Sequence, residues 1–184
     1  MRIIAGEWRS RVLETAADDD TRPTANRTRE TLFSMLTSRI GGFDDLFVLD
    51  LFAGSGALAL EALSRGARAA ALVESHPAAR RAIENNCRKL AANARLIGAD
   101  ATRLPLASQP ADVVFLDPPY GRDLAAAALH SLRQTGWLAD HSWIAVETAV
   151  ADALPDALPA AGFLIEAERR VGKAKLWLLR PAAE

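Results

Sequence analysis

The chain has one cysteine, Cys87, and three scattered histidines, His76, His130 and His141. The first rules out an internal disulfide and makes a reducing cytosol the simplest setting. The second leaves no paired ligand spacing, so no metal is expected. Long apolar runs are missing: none approaches the ~20 residues needed to cross a bilayer. The opening Met1-Arg2-Ile3-Ile4-Ala5-Gly6-Glu7 lacks the apolar core of a signal peptide, and a soluble cytoplasmic protein with no membrane partner is expected. Lysine is scarce, with Lys89, Lys173 and Lys175 the only ones among 22 basic residues. The net charge of −1 argues against the basic footprint of a broad nucleic-acid binder. No repeat or low-complexity linker divides the sequence.

What is present is an ordinary globular composition: 184 residues, 50% of them hydrophobic and 24% charged. That is enough chain to bury a core as one domain, residues 1–184. Arginine carries nearly all the positive charge and crowds both ends, with Arg2, Arg9, Arg11, Arg22, Arg27 and Arg29 before position 30, and Arg169, Arg170 and Arg180 near the close. If the ends meet, they form a basic rim; solvated surface arginines are the plainer alternative. Ile3-Ile4 and Val12-Leu13 are expected to pair as a hairpin around Gly6. A helix follows from about Asn26 to Ile40, with Leu32, Phe33, Leu36 and Ile40 on one face. These parts form an extension over residues 1–42, ahead of a core over residues 43–184.

From Leu46 onward strand and helix alternate. Expected strands are Phe47–Leu51, Ala70–Glu74, Arg95–Ile97, Asp112–Leu116 and Trp143–Glu147. Expected helices run from Gly56 to Arg65, Pro77 to Ala92 and Asp123 to Gln134. Cys87 falls at helical spacing with Ala79, Ile83 and Leu90 and reads as a core thiol. Phe163–Arg170 and Ala174–Leu179 close the chain as a hairpin. The pattern specifies an α/β fold: a Rossmann-like, doubly wound and mostly parallel sheet, helices on both faces, and an antiparallel C-terminal hairpin. Ligands in such sheets bind beyond the carboxyl ends of the strands, where the distinctive residues of this chain all fall.

Asp50-Leu51-Phe52-Ala53-Gly54-Ser55-Gly56 runs from a strand through a glycine turn into a helix. Gly54 and Gly56 permit close backbone approach, and the helix start offers free N–H groups. Gly54, Gly56 and Ala59, with Glu74 about twenty residues on, also fit a dinucleotide fingerprint. Asp50, however, puts a carboxylate where a cationic ammonium can sit. Glu74 ends its strand where a carboxylate accepts two ribose hydroxyls. Asp100-Ala101 follows the third strand, suited to an adenine amino group, although Asp in a turn also makes purely local hydrogen bonds.

Asp117-Pro118-Pro119-Tyr120 directly follows Val113-Val114-Phe115-Leu116. Prolines have no N–H and a fixed φ, so the pair makes a stiff turn with available carbonyls. A carboxylate, a free carbonyl and a flat aromatic ring together hold a planar amino group: the oxygens accept its N–H groups and the ring stacks on the base. This string resembles the D-P-P-Y signature of amino-methyltransferases that use S-adenosylmethionine.

The chain as a whole resembles the bacterial small-subunit ribosomal RNA guanine-N2 methyltransferase family (RsmD type). The likeness is carried by Met1–Gly6 with Arg11-x-Leu13, and by Arg22-Pro23-Thr24 followed by Arg27-x-Arg29-Glu30-x-Leu32-Phe33. It continues through Asp50–Gly56, Leu63–Ala67, Val73-Glu74, Asp100-Ala101, Asp117–Gly121 and Arg170-Val171-Gly172-Lys173. Val171 stands where an aromatic is common and Ser10 where glycine is expected. The resemblance implies a seven-stranded sheet and methylation of one guanine N2 in 16S ribosomal RNA, held within an assembled or partly assembled small subunit. It implies S-adenosylmethionine bound by Thr24, Asp50, Phe52, Ala53, Gly54, Gly56, Glu74, Asp100 and Ala101. It further implies an amine positioned by Asp117, Pro118, Pro119 and Tyr120, and RNA contacted by Arg22, Arg27, Arg29, Arg170 and Lys173. Two other readings stay open: a DNA adenine-N6 methyltransferase, and a catalytically silent RNA-binding assembly factor. An NAD oxidoreductase lacks any apparent hydride-transfer acid.

Overall fold

A computed structural model describes residues 1–15, 23–120, 124–152, 158 and 161–182, residues 23–25 by their backbone alone. Among the described residues, four helices and seven strands occur in the order α1 (Pro23–Ile40), β1 (Phe47–Leu51), α2 (Ala57–Ser64), β2 (Ala69–Val73), α3 (Pro77–Leu90), β3 (Ala94–Ile97), β4 (Ala111–Leu116), α4 (Leu124–Gln134), β5 (Leu138–Ala149), β6 (Phe163–Val171) and β7 (Ala174–Pro181). One sheet holds all seven strands in the order β3-β2-β1-β4-β5-β7-β6. Pairing is parallel from β3 across to β5, and β7 lies antiparallel between β5 and β6. The chain reverses its winding between β1 and β4, and a crevice opens above their carboxyl ends.

Buried strands explain the apolar runs. All five residues of β1 are buried, and successive side chains divide between the two faces. Val48, with Leu72, Val113 and Phe115, joins Leu32, Phe33, Leu36, Leu60 and Ile83 from α1, α2 and α3. Leu49 and Leu51, with Val73, Val114 and Leu116, join Ala128, Leu129 and Leu132 from α4. Each fully buried leucine or phenylalanine contributes about 1.5–3 kcal/mol of transfer free energy.

The segment before α1 packs into the same body. Ile3 and Leu13 belong to the cluster of α1 and α2. Glu61 of α2 is fully buried and accepts the N–H groups of Ile4 and Ala5 at 2.7 and 2.9 Å. Ser64 donates its hydroxyl to the Ala5 carbonyl and accepts from the Trp8 N–H. These bonds explain a departure from expectation. The opening residues approach antiparallel, with Ile3 N–H on the Arg11 carbonyl and Leu13 N–H on the Met1 carbonyl, yet only one bridge forms, Arg2 to Val12. The N–H groups of Ile4 and Ala5 go to α2 instead of a facing strand. Ser10, where glycine was expected, has φ 68°, a conformation glycine adopts without strain.

Other differences are of extent. α1 begins at Pro23, three residues before Asn26. β5 begins at Leu138, ahead of Trp143, through a register shift between its pairs with Ala111 and Val113. Cys87 is partly buried against the core, and burial raises its thiol pKa.

Candidate active site

The carboxyl ends of β1, β2, β4 and β5 surround a cavity of about 1130 Å³, lined among others by Asp50, Phe52, Ala53, Gly54, Glu74, Asp100, Asp117, Pro118, Pro119, Tyr120, Glu147 and Lys173. Most residues singled out in the sequence thus meet at one place, because they lie at or just beyond the carboxyl ends of parallel strands on the same side of the sheet.

Asp50 is 1% exposed. Its Oδ2 accepts the Ala59 N–H at 3.0 Å, while its Oδ1 has no hydrogen-bond partner among the described residues. Burial, opposed by the Ala59 bond and reinforced by the charge of Glu74, pushes its pKa up to about 7. A buried carboxylate oxygen without a donor is costly unless a ligand satisfies it. Glu74 is held at both oxygens, by the Gly54 N–H at 2.8 Å and the His76 N–H at 2.7 Å. Each oxygen keeps a further lone pair. Asp100 Oδ1 takes the Thr102 N–H and hydroxyl, both at 2.8 Å, and these bonds lower its pKa.

The glycine turn assigns different tasks to its two glycines. A Cβ on Gly54 meets nothing nearer than the Phe52 carbonyl at 3.9 Å, so the space above it is open to the cavity. A Cβ on Gly56 comes within 2.9 Å of Leu72 Cδ2. Gly56, at φ 79°, lets α2 approach the sheet and does not itself line the cavity. Phe52 adopts φ 60°, a conformation that costs a non-glycine residue on the order of 1 kcal/mol and clusters at functional sites. Asn86 of α3 braces the turn, donating to the Ser55 carbonyl at 3.0 Å and the Glu14 carbonyl at 2.9 Å.

Asp117 follows β4 and is exposed, while Pro118 is buried beneath the turn. The Tyr120 ring is half exposed, and its hydroxyl donates to Glu147 Oε1 at 2.6 Å. Burial, then the bond to Glu147 and the charges of Glu147, Asp117 and Asp152, raise the phenol pKa. Burial also raises the Glu147 carboxyl, against the Tyr120 bond that lowers it. The sequence reading placed Glu147 in a strand without a role. The signal was available: it is an acid ending an apolar run, like Asp50, Glu74 and Asp117.

The remaining expectations separate. Ala101 is buried in the core. Lys173 sits in the cavity wall with Gly172, whereas Arg170 is exposed and donates to the Gly172 carbonyl at 3.1 Å. Arg27 is exposed. Arg29 departs from its expected place: it is 6% exposed, its guanidinium donates to the Arg2 carbonyl and to Asn26 Oδ1, and burial lowers its pKa. It ties α1 to the opening segment, away from any surface ligand. Arg22 lies outside the described residues, as does the side chain of Thr24. Val171 is buried against the core and offers no stacking surface. Among the described residues no group of three or more metal-ligating side chains occurs, and no helix is long and apolar enough to cross a membrane.

Known proteins share this architecture. The family described as Conserved hypothetical protein 95 matches residues 1–180. The chain is 43% identical over 157 residues to the ribosomal RNA small subunit methyltransferase D of Escherichia coli K12, covering 84% of this chain and 78% of that protein. It is 37% identical over 154 residues to the protein of the same name from Haemophilus influenzae, covering 80% and 78%. The solved structure of yhhF from Escherichia coli superposes with a TM-score of 0.82 at 37% identity, over 100% of this chain and 99% of that one.

Proposed function

The chain belongs to the conserved hypothetical protein 95 family, and from that premise we propose that it is an S-adenosylmethionine-dependent methyltransferase acting on the exocyclic N2 amine of a guanine in 16S ribosomal RNA. The observation that carries the reading is the meeting of Asp50, Glu74, Asp100 and the Asp117–Tyr120 turn in one cavity. The names of the relatives support the ribosomal substrate.

When bound, S-adenosylmethionine supplies an electrophilic methyl on a sulfonium. The residues present suit such a ligand. The orphaned Asp50 Oδ1 is an acceptor for a cationic ammonium, which also returns the acid to its charged form. The open face of Gly54 and the turn through Phe52 and Ala53 let a ligand lie against the backbone. Glu74, fixed by two N–H groups, accepts vicinal hydroxyls with its remaining lone pairs, and Asp100, oriented by Thr102, accepts an amino group.

A base amine is a poor nucleophile because its lone pair is delocalised into the ring. Accepting its N–H groups at the Asp117 carboxylate and Pro118 carbonyl favours a tetrahedral nitrogen and frees the pair. Stacking on Tyr120 holds the base in line, so alignment is the main contribution and no strong base is needed. The base must be unpaired or flipped, at a few kcal/mol. Arg22 and Arg27 of the extension over residues 1–42, with Arg170 and Lys173, supply the RNA-facing charge in this reading.

Nucleoside mass spectrometry of small-subunit RNA, with the gene deleted and then restored, tests it. Loss and return of one N2-methylguanosine is expected. An unchanged profile overturns the reading, and a change in DNA N6-methyladenine instead would redirect the same cavity to adenine.

A further inference from the structure

Glu147 is the residue of β5 just past its last pairing with β4, and Asp117 is the first residue beyond β4. The register pairs Leu116 with Val146, so the two acids leave neighbouring strands about 4.8 Å apart. Both line the cavity. One oxygen of Glu147 takes the Tyr120 hydroxyl; among the described residues its Oε2 has no hydrogen-bond partner. A carboxylate accepts and never donates when charged, so an acid pinned at one oxygen and open at the other reads an N–H group.

The two candidate amines differ at that point. The N2 amine of guanine has N1–H beside it, giving two adjacent donors. The N6 amine of adenine has a bare N1 acceptor there. Resting on the methyl-transfer reading above, we infer that Glu147 determines base specificity: its Oε1 fixes the Tyr120 ring and its Oε2 accepts the N1–H beside the target amine. An amine next to a bare ring nitrogen brings two acceptors face to face and is refused. Burial makes an incompletely partnered carboxylate costly, and the N1–H supplies the missing donor.

The test uses methylation of small-subunit particles lacking the modification, inhibited in competition by guanosine monophosphate or by 2-aminopurine riboside monophosphate. The second nucleotide keeps the amine but has a bare N1. The wild-type protein should be inhibited at least ~tenfold more strongly by the guanine nucleotide, the scale of one hydrogen bond to a charged group. In Glu147→Gln the amide carbonyl still accepts from Tyr120 and the NH₂ meets N1, so the preference should vanish or invert. A role confined to holding Tyr120 would leave the preference unchanged, and that result overturns the inference. Tyr120→Phe, which leaves the acid in place, should turn over slowly yet keep the guanine preference; its loss there also overturns the inference. Equal inhibition in the wild-type protein does so without any variant. Product nucleosides separate the two levels: particles that gain no N2-methylguanosine from the wild-type protein sink both the methyl-transfer reading and the specificity built on it. Normal N2-methylguanosine with an unchanged preference in Glu147→Gln sinks the specificity alone.

Discussion

Asp50 shows how one residue can carry a measurable signature of the site. Its folded pKa of about 7 lies above the ordinary 3.8 because of burial, so the native state holds a proton that the unfolded chain releases. The stability contribution is fully present below the unfolded value and is lost as pH rises towards about 7. Thermal scans of the ligand-free protein should therefore show a fall as pH rises from the ordinary value of 3.8 up to about 7 that Asp50→Asn flattens. S-adenosylmethionine should bind with release of close to one proton at pH 6, and its affinity should drop about tenfold per unit below pH 7; calorimetry in buffers of different ionisation heat reads both. Asp117→Asn should lower turnover at least ~hundredfold, the scale of a lost charge-stabilising contact, with cofactor affinity within about twofold in the same calorimeter. Loss of cofactor binding would make Asp117 a structural residue. Tyr120 is the single tyrosine, so absorbance titration reports it directly. With its pKa raised by burial and Glu147, tyrosinate should be absent at pH about 10, the ordinary midpoint of a phenol, and Glu147→Gln should move ionisation downward.

At the scale of elements, α2 is the clamp of the molecule. Its start is set by Gly56 against Leu72, and its buried Glu61 receives Ile4, Ala5 and the Arg65 guanidinium, the last with Nη2 at 2.8 Å. Glu61→Ala leaves two N–H groups and a cation short of a partner, and should cost about 2–4 kcal/mol in urea unfolding. Gly56→Ala should cost at least ~1 kcal/mol, from its positive φ and the close approach to Leu72. Strand positions were legible because buried parallel strands read as short apolar runs ending in acids: β1 occupies the expected Phe47–Leu51. The opening segment was less legible. Its hydrogen bonds run to Glu61 and Ser64, more than fifty residues away, and no local pattern encodes that choice. β5 was read short because its first part is polar and partly exposed.

For the whole molecule, a net charge of −1 bears on how the substrate is held. Few phosphate contacts mean weak affinity for naked RNA, with only a shallow dependence on salt. Methyl transfer to a partly assembled small subunit should exceed transfer to naked 16S RNA at least ~tenfold, since protein contacts must make up the difference; equal rates at physiological salt would refute this. By itself the sequence determined the α/β alternation, the parallel sheet with its antiparallel close, and the chemistry-bearing strings at Asp50–Gly56, Glu74, Asp100 and Asp117–Tyr120. These are local properties, written in periodicity, turn residues and the acids at or just past the carboxyl ends of strands. Tertiary structure alone decided that β4 lies beside β1 and β5 beside β4, which sets Glu147 against Tyr120. It also decided that Arg29 turns inward to the Arg2 carbonyl, and that Gly54 faces the cavity while Gly56 faces the core. The physical reason is that each depends on which distant residue becomes a neighbour when the sheet assembles, and strand order is settled by packing across the whole core.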